Sequence, residues 1–300
     1  MSSPWTIDET PSDLFRKGYL KEPYNHKNLE LILKSGYDVE YDKTWVSNFN
    51  IKSNTVRKHL EKIKKKIENG CVKTKARVKD NVGRAYFDNS ISISQLPGDI
   101  RQALSLDTTY DYDLVNACPN ILNEICKKSG INENEYNYIN HYCTNRKKVL
   151  TNLGIYYYGT FNKKIRKEMK QLVISYCFFG GGDGLAEINN KEADPFLLQV
   201  QGQVNDINRK YIMKNNKEFF DKLKEKNEAT YNFLLERHKK KPKKYRKPSK
   251  KQAKNTLLSL FLQNIERKII ETVIKEKGFG NKFIYCYDGF QVEEKLDCKE

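Results

Sequence analysis

The chain has 300 residues, and its 55 Lys and Arg residues outnumber its 38 Asp and Glu residues, for a formal net charge of +17. A hydrophobic content of 38% with 12% aromatic residues excludes a wholly disordered protein. The length suits one large domain, or a core with a smaller extension. The basic excess favours a polyanionic partner, and we expect nucleic acid rather than membrane because no basic amphipathic helix or apolar span stands out.

The cysteines indicate an intracellular protein with reduced thiols. Seven are present, without a Cys-x-x-Cys pair or a Cys/His cluster at zinc spacing. The N-terminus does not resemble a signal peptide, and no apolar run is long enough for a membrane helix.

The first third of the chain predicts short elements. Residues 1 to about 45 are polar and interrupted by prolines. Apolar residues at helical spacing predict a helix over 54–69 that ends at Gly70. Period-two patterns and turn residues predict strands at 76–78, 83–87 and 90–94. Asp99 is expected to cap a short helix that runs through Leu104.

The remainder predicts one strand, a series of helices and a hairpin. A strand over 108–113 precedes a helix that Asn116 would cap and that would end near Lys128. Further helices are expected over 133–153, 163–179, 195–236 and 255–276, with a basic loop over 237–254 and a hairpin over 283–292. Strands before and after a long helical stretch predict an α+β fold, in which a small antiparallel sheet carries a large helical insertion.

Two segments place an aspartate at the end of an otherwise apolar strand. Asp111 and Asp113 would point to the same face of the first strand. Asp288 lies at the tip of the aromatic hairpin. Each segment alone also fits an ordinary solvated strand end or β-turn. Brought together, two such carboxylates could bind hard cations that activate phosphoryl transfer.

Two basic segments could contact phosphates. On the 163–179 helix, Arg166 and Lys170 share a face and Lys167 lies beside them, followed by the aromatic pair Phe178 and Phe179. These cations could bind a triphosphate, or they could form a solvated helix face. The 237–254 tract could contact a nucleic-acid backbone. Its cations are Lys239, Lys240, Lys241, Lys243, Lys244 and Arg246.

Together these segments resemble the motifs of family A DNA polymerases and single-subunit phage RNA polymerases, and more narrowly those of the transposon–virus polymerase branch of virophages and large DNA viruses. Residues 113–122 (DLVNACPNIL) are similar to motif A, and Tyr287-Asp288-Gly289 to motif C. Residues 166–180 resemble motif B. Gly83-Arg84-Ala85-Tyr86, followed by Gln95, resembles the segment that contacts template and primer. The similarity covers roughly residues 76 to 295.

The resemblance implies a site for each motif. Asp113, Asp288 and the backbone carbonyl of Leu114 would bind Mg²⁺ or Mn²⁺, with Asp111 as a helper. Lys170 would bind the nucleoside triphosphate, with Arg166 and Lys167 as rivals, and Phe178 or Phe179 would stack on the nascent base pair. Template contacts would come from Arg84, Gln95 and the 237–254 tract.

Three positions depart from the family pattern. Gly180 falls one position late in motif B, and Tyr287 replaces the usual motif C histidine. Cys118 stands where DNA polymerases carry a glutamate that excludes ribonucleotides. We therefore expect the site to tolerate ribonucleotides and to act as a primase.

The complete prediction is a right-hand polymerase palm with a helical fingers insertion at roughly 145–275, within a core over 76–300. A helical N-terminal extension would cover 1–75. The partners would be a DNA template, a primer strand and a fused or associated superfamily 3 helicase, without a membrane. The setting would be viral or mobile-element replication inside the host cell, in a cytoplasmic viral factory or the nucleus. A two-metal nuclease and a non-enzymatic nucleic-acid-binding module are the alternatives.

Overall fold

The computed structural model describes residues 3–16, 19–34, 56–87, 92–179, 191–237 and 250–297. The chain divides into two compact units. We call Glu9–Leu114 with Glu266–Glu300 the sheet unit, and Met1–Asp8 with Val115–Ile265 the helical unit. The units therefore divide the chain differently from the predicted boundary at residue 75.

The elements confirm an α+β architecture. The described α-helices of four or more residues are α1 (Asp13–Arg16), α2 (His26–Lys34), α3 (Val56–Lys64), α4 (Gly98–Ser105), α5 (Ala117–Lys128), α6 (Asn137–Thr144), α7 (Arg146–Tyr158), α8 (Lys163–Val173), α9 (Pro195–Ile207), α10 (Lys217–Arg237) and α11 (Lys250–Glu276). The strands are β1 (Leu20–Pro23), β2 (Ile67–Glu68), β3 (Cys71–Thr74), β4 (Ala76–Val78), β5 (Ala85–Phe87), β6 (Tyr110–Asp113), β7 (Ile284–Tyr285) and β8 (Gly289–Val292). None of the described helices is long and apolar enough to cross a lipid bilayer.

All described strand pairs are antiparallel and form three small sheets. Strand β3 lies between β1 and β2, β4 pairs with β5, and β8 lies between β6 and β7. In the last sheet, the β6–β8 register runs from Tyr110 opposite Val292 to Asp113 opposite Gly289. The strand that precedes the long helical segment and the hairpin that follows it therefore form one sheet, as predicted.

The β7–β8 hairpin is buried against two apolar clusters, whereas β6 is largely exposed. Ile284 of β7 joins one cluster with Leu29 of α2 and Leu60 of α3. Its neighbour Tyr285 joins the other, with Ile270 of α11. All four residues of β8 are buried. Burial on both faces explains why the hairpin reads as a continuous apolar run rather than an alternating pattern.

The helical unit packs around the beginning of the chain. The Trp5 ring stacks on Tyr211 and Phe261, with centroid separations of 5.1 and 6.2 Å. The Asn216 side-chain amide donates to the Trp5 carbonyl at 2.7 Å, and its Oδ1 accepts from the Ile7 amide at 2.6 Å. Residues 3–8 are therefore an integral part of this unit.

Two local predictions were wrong. The helix expected over 54–69 ends at Lys64, because residues 67–68 form β2 and pair with β3. The connecting Asn69 and Gly70 have φ values of 51° and 77°, the conformation that an Asn-Gly hairpin turn requires. The first 75 residues are accordingly not purely helical.

The second wrong prediction is the strand over 90–94. Ile93–Gln95 form a 3₁₀ turn that Ser92 caps, and residues 90 and 91 lie outside the described residues. The prediction that residues 133–153 are helical is confirmed for most of its length, in the two helices α6 and α7, which are separated at Asn145.

Candidate active site

The sheet unit brings Asp113 and Asp288 together at one end of the β6–β8 pair. Asp113 lies opposite Gly289, and the Leu114 amide donates to the Asp288 carbonyl at 2.8 Å. Both aspartates are exposed although the adjoining strand β8 is buried. Two residues 175 positions apart in sequence thus lie at the same end of one strand pair.

A tight turn holds Asp288 in place. The Asp288 amide donates to the Cys286 carbonyl at 2.9 Å, and the Cys286 amide donates to the Gly289 carbonyl at 2.9 Å. Tyr287 adopts the left-handed conformation with φ 67°. A Cβ atom at residue 289 would lie 2.3 Å from the Tyr112 carbonyl oxygen. Glycine is therefore required here by the close approach of β6 and not by a left-handed turn conformation, because Gly289 does not have a positive φ.

Glu266 of α11 forms an ion pair with Arg84 beside these aspartates. Arg84 Nε donates to Glu266 Oε1 at 2.9 Å, and its Nη2 donates to Oε2 at 3.1 Å. The Glu266 side chain is completely buried, whereas a quarter of the Arg84 side chain is exposed. The Arg84 guanidinium also lies over the Tyr287 ring, 5.8 Å from its centroid.

The electrostatics of this pair include both aspartates. Burial raises the pKa of Glu266 and Arg84 lowers it, while the negative charges of Asp288 and Asp113 raise it further. Burial opposes the charge of Arg84, but the hydrogen bond and charge of Glu266, together with the charge of Asp288, raise its pKa overall. Arg84 thus stays a cation under the influence of the Glu266 and Asp288 carboxylates.

The next residue of α11 holds the backbone that carries Arg84. Arg267 is completely buried, and its Nε donates to the Gly83 carbonyl at 2.8 Å. Its Nη2 donates to the Asn81 carbonyl at 3.3 Å, and its Nη1 pairs with Glu271. Two consecutive residues of α11 therefore fix both the side chain and the main chain of the Gly83-Arg84 segment.

The motif interpretation did not include Glu266. The sequence does contain a signal for it, because Glu266 occupies one position in a series of every fourth residue, 258, 262, 266, 270 and 274. All five residues are buried in the structure. Leucine or isoleucine occupies the other four positions. A lone glutamate in the buried stripe of an amphipathic helix requires a partner.

The other predicted residues of the sheet unit have defined positions. Asp111 is exposed on the same strand as Asp113, opposite Gln291. Gln95 is buried, and its side-chain oxygen accepts from the Ser92 amide at 3.0 Å in a capping box. The predicted contact of Gln95 with the template would therefore involve a buried side chain that already hydrogen-bonds within this turn.

The predicted triphosphate ligands lie on α8 of the helical unit. Arg166, Lys167 and Lys170 are exposed, whereas Phe178 is almost fully buried and Phe179 is half-buried. Of the two aromatic rings, Phe179 is therefore the better candidate for stacking on a base.

A π-helical turn follows α8. It covers Ile174–Phe178, and the Phe179 amide donates to the Ile174 carbonyl at 3.2 Å, five residues back. A π turn contains one residue more than an α turn. In the sequence, Gly180 stands one position later than in the motif B pattern. The extra residue of this π turn has the same size as that offset and lies directly before it.

The start of α5 carries the predicted sugar-selecting residue. Cys118 lies in the first turn and is buried. Asn116 occupies the N-cap position with φ 52°, but its side chain makes no capping hydrogen bond, so the predicted cap interaction is absent.

The predicted basic contacts at Lys239, Lys240, Lys241, Lys243, Lys244 and Arg246 lie outside the described residues.

The donor set fits a hard divalent cation in its chemistry. Asp113 and Asp288 offer exposed carboxylate oxygens at adjoining backbone positions, and Mg²⁺ commonly binds through one or two carboxylates and completes its shell with water and substrate phosphates. Within the described part of the chain, no group of three or more His, Cys, Asp and Glu residues could hold a metal ion. A site here would rest on the aspartate pair.

Comparison with known proteins gives one distant similarity. No protein-family model matches the chain, and no solved structure matches it. The chain is similar to a Sputnik virophage protein named "Putative helicase V13", with 23% identity over 154 residues. The match covers 50% of this chain but 19% of the virophage protein. This chain therefore corresponds to a small part of that relative's length.

Proposed function

We propose that the chain is a template-directed nucleotidyltransferase, a DNA polymerase or primase, with the β6–β8–β7 sheet as its palm. One observation carries the proposal: two aspartates distant in sequence meet at the end of one sheet, on the motif A and motif C positions. The Leu114–Asp288 hydrogen bond and the close approach at Gly289 hold them there.

The chemistry assigned to the site is phosphoryl transfer to a primer 3′-hydroxyl. When bound, Mg²⁺ or Mn²⁺ would lower the pKa of that hydroxyl and neutralise the pyrophosphate leaving group. Asp113 and Asp288 would bind the cations, with the Leu114 carbonyl as a further oxygen ligand and Asp111 as a helper. Hydrogen bonds between the two backbone segments keep both aspartates at the same end of the strand pair.

The remaining roles rest on the motif resemblance. Lys170, with Arg166 and Lys167, would bind the triphosphate, and Cys118 would permit a ribose 2′-hydroxyl. The virophage similarity supports a role in viral or mobile-element replication, and the helicase name of that relative supports a helicase as a fused or associated partner.

Primer extension tests the proposal directly. Purified protein with Mg²⁺ is given a labelled primer–template and either deoxynucleotides or ribonucleotides. Elongation is expected with both, and Asp288→Asn should reduce it by at least about a hundredfold because several kcal/mol of charge stabilisation are lost. Template binding by that variant should be retained.

Glu294→Gln is the matched control. It removes one exposed carboxylate beyond the opposite end of β8, so synthesis should persist. Full synthesis by Asp288→Asn would exclude the assignment. Degradation of the labelled DNA without nucleotides would identify a nuclease instead, and binding without either reaction would identify a non-enzymatic module. Rejection of every ribonucleotide would exclude the primase activity.

A further inference from the structure

We infer that Glu266 is a positioning residue, which holds the Arg84 guanidinium beside Asp288 so that the Glu266–Arg84 pair sets the cation affinity of Asp113 and Asp288. This inference rests on the proposed function, because it concerns the same two aspartates. It adds a residue that the motif resemblance does not supply.

The geometry restricts where the Arg84 charge can lie. Both Glu266 oxygens accept from the guanidinium, at distances of 2.8 to 3.1 Å. The Tyr287 ring lies on one side of it, and Tyr287 directly precedes Asp288. The Arg267 side chain donates to the Gly83 carbonyl, which restricts movement of the backbone next to Arg84. A bidentate pair with one fully buried partner is a rigid arrangement.

The opposite charges of Arg84 and Glu266 compensate each other near the two aspartates. Arg84 interacts electrostatically with Asp288, and Glu266 interacts with both Asp288 and Asp113. Loss of Glu266 alone would leave an uncompensated positive charge near the cation site and weaken binding. Loss of Arg84 alone, in buffer alkaline enough to keep Glu266 ionised, would leave an uncompensated negative charge and strengthen metal binding. Loss of both charges would restore the balance.

Opposite shifts in metal affinity therefore distinguish this role from a structural one. Mn²⁺ titration, followed by the electron paramagnetic resonance signal of the free ion, measures affinity without any need for activity. In mildly alkaline buffer, Glu266→Gln should weaken binding about tenfold and Arg84→Gln should tighten it by a similar factor, the size expected for one partly screened charge. The double variant should bind like the wild type.

Further variants separate the possible failures. Thermal denaturation establishes that each protein is folded, and Glu266→Gln preserves the side-chain volume. Arg84→Lys keeps the charge, so its Mn²⁺ affinity should stay near that of the wild type. Unchanged affinity in Glu266→Gln, or shifts of the same sign in both single variants, overturns the inference while the polymerase proposal stands. Mn²⁺ binding that Asp113→Asn and Asp288→Asn leave unaffected overturns the proposed cation site itself.

Discussion

Glu22 should make the stability of the protein fall as pH rises through neutrality. This β1 residue is completely buried in the sheet unit. One carboxyl oxygen accepts from Ser92 Oγ at 2.5 Å, and the other accepts from the Ile93 amide at 2.9 Å. Burial, opposed by these hydrogen bonds, raises the pKa of Glu22 from 4.5 to about 7.

The sign and size of the effect follow from proton linkage. The folded protein holds the Glu22 proton more tightly than the unfolded chain, so the stabilising contribution is complete below pH 4.5 and is lost as pH rises through about 7. A pKa difference of this size corresponds to about 3 kcal/mol of unfolding free energy.

Urea denaturation of the wild type and Glu22→Gln across this pH range measures the contribution. Glutamine cannot titrate, so the difference in unfolding free energy between the two proteins should change by about 3 kcal/mol in favour of the variant as pH rises. Glutamine also loses one acceptor, at a constant cost of about 1 kcal/mol.

A second variant isolates the carboxyl group from its partner. Ser92→Ala retains Glu22 but removes a hydrogen bond that lowers its pKa, so the pH dependence should persist and extend to higher pH. Parallel pH profiles for the wild type and Glu22→Gln would refute the reasoning.

Two further predictions concern packing. Gly289→Ala should lower the free energy of unfolding by about 2–3 kcal/mol, because its Cβ would lie 2.3 Å from the Tyr112 carbonyl oxygen. The control is Gly202→Ala in α9, whose Cβ meets no atom within 4 Å and which should raise the free energy of unfolding by about 1 kcal/mol in the same urea titration. Equal effects of the two variants would contradict a steric requirement for glycine at residue 289. Asn216→Ala should cost about 2–3 kcal/mol because it leaves buried backbone groups of Trp5 and Ile7 unpaired, and an unchanged unfolding midpoint would show that residues 3–8 do not support the helical unit.

Sequence patterns predicted the elements whose signals are local. The periodic apolar residues of α11, the strand before Asp113 and the aromatic hairpin around Asp288 appear close to where they were expected. The errors at β2 and at 90–94 arose where two local signals compete. Apolar spacing favoured a longer helix over the Asn69-Gly70 hairpin turn, and alternation favoured a strand over the Ser92 capping box.

The sequence alone determined the basic charge, the α+β class and the two strand ends that carry aspartates, because these depend on composition and on short-range periodicity. Only the tertiary structure decided that β6 pairs with β8 at the Asp113–Gly289 register, and that Glu266 and Arg267 hold the Arg84 segment. Pairing across 175 positions depends on which apolar faces are buried together. The role of the buried Glu266 can be inferred only when its cationic partner Arg84, 182 positions away, is known.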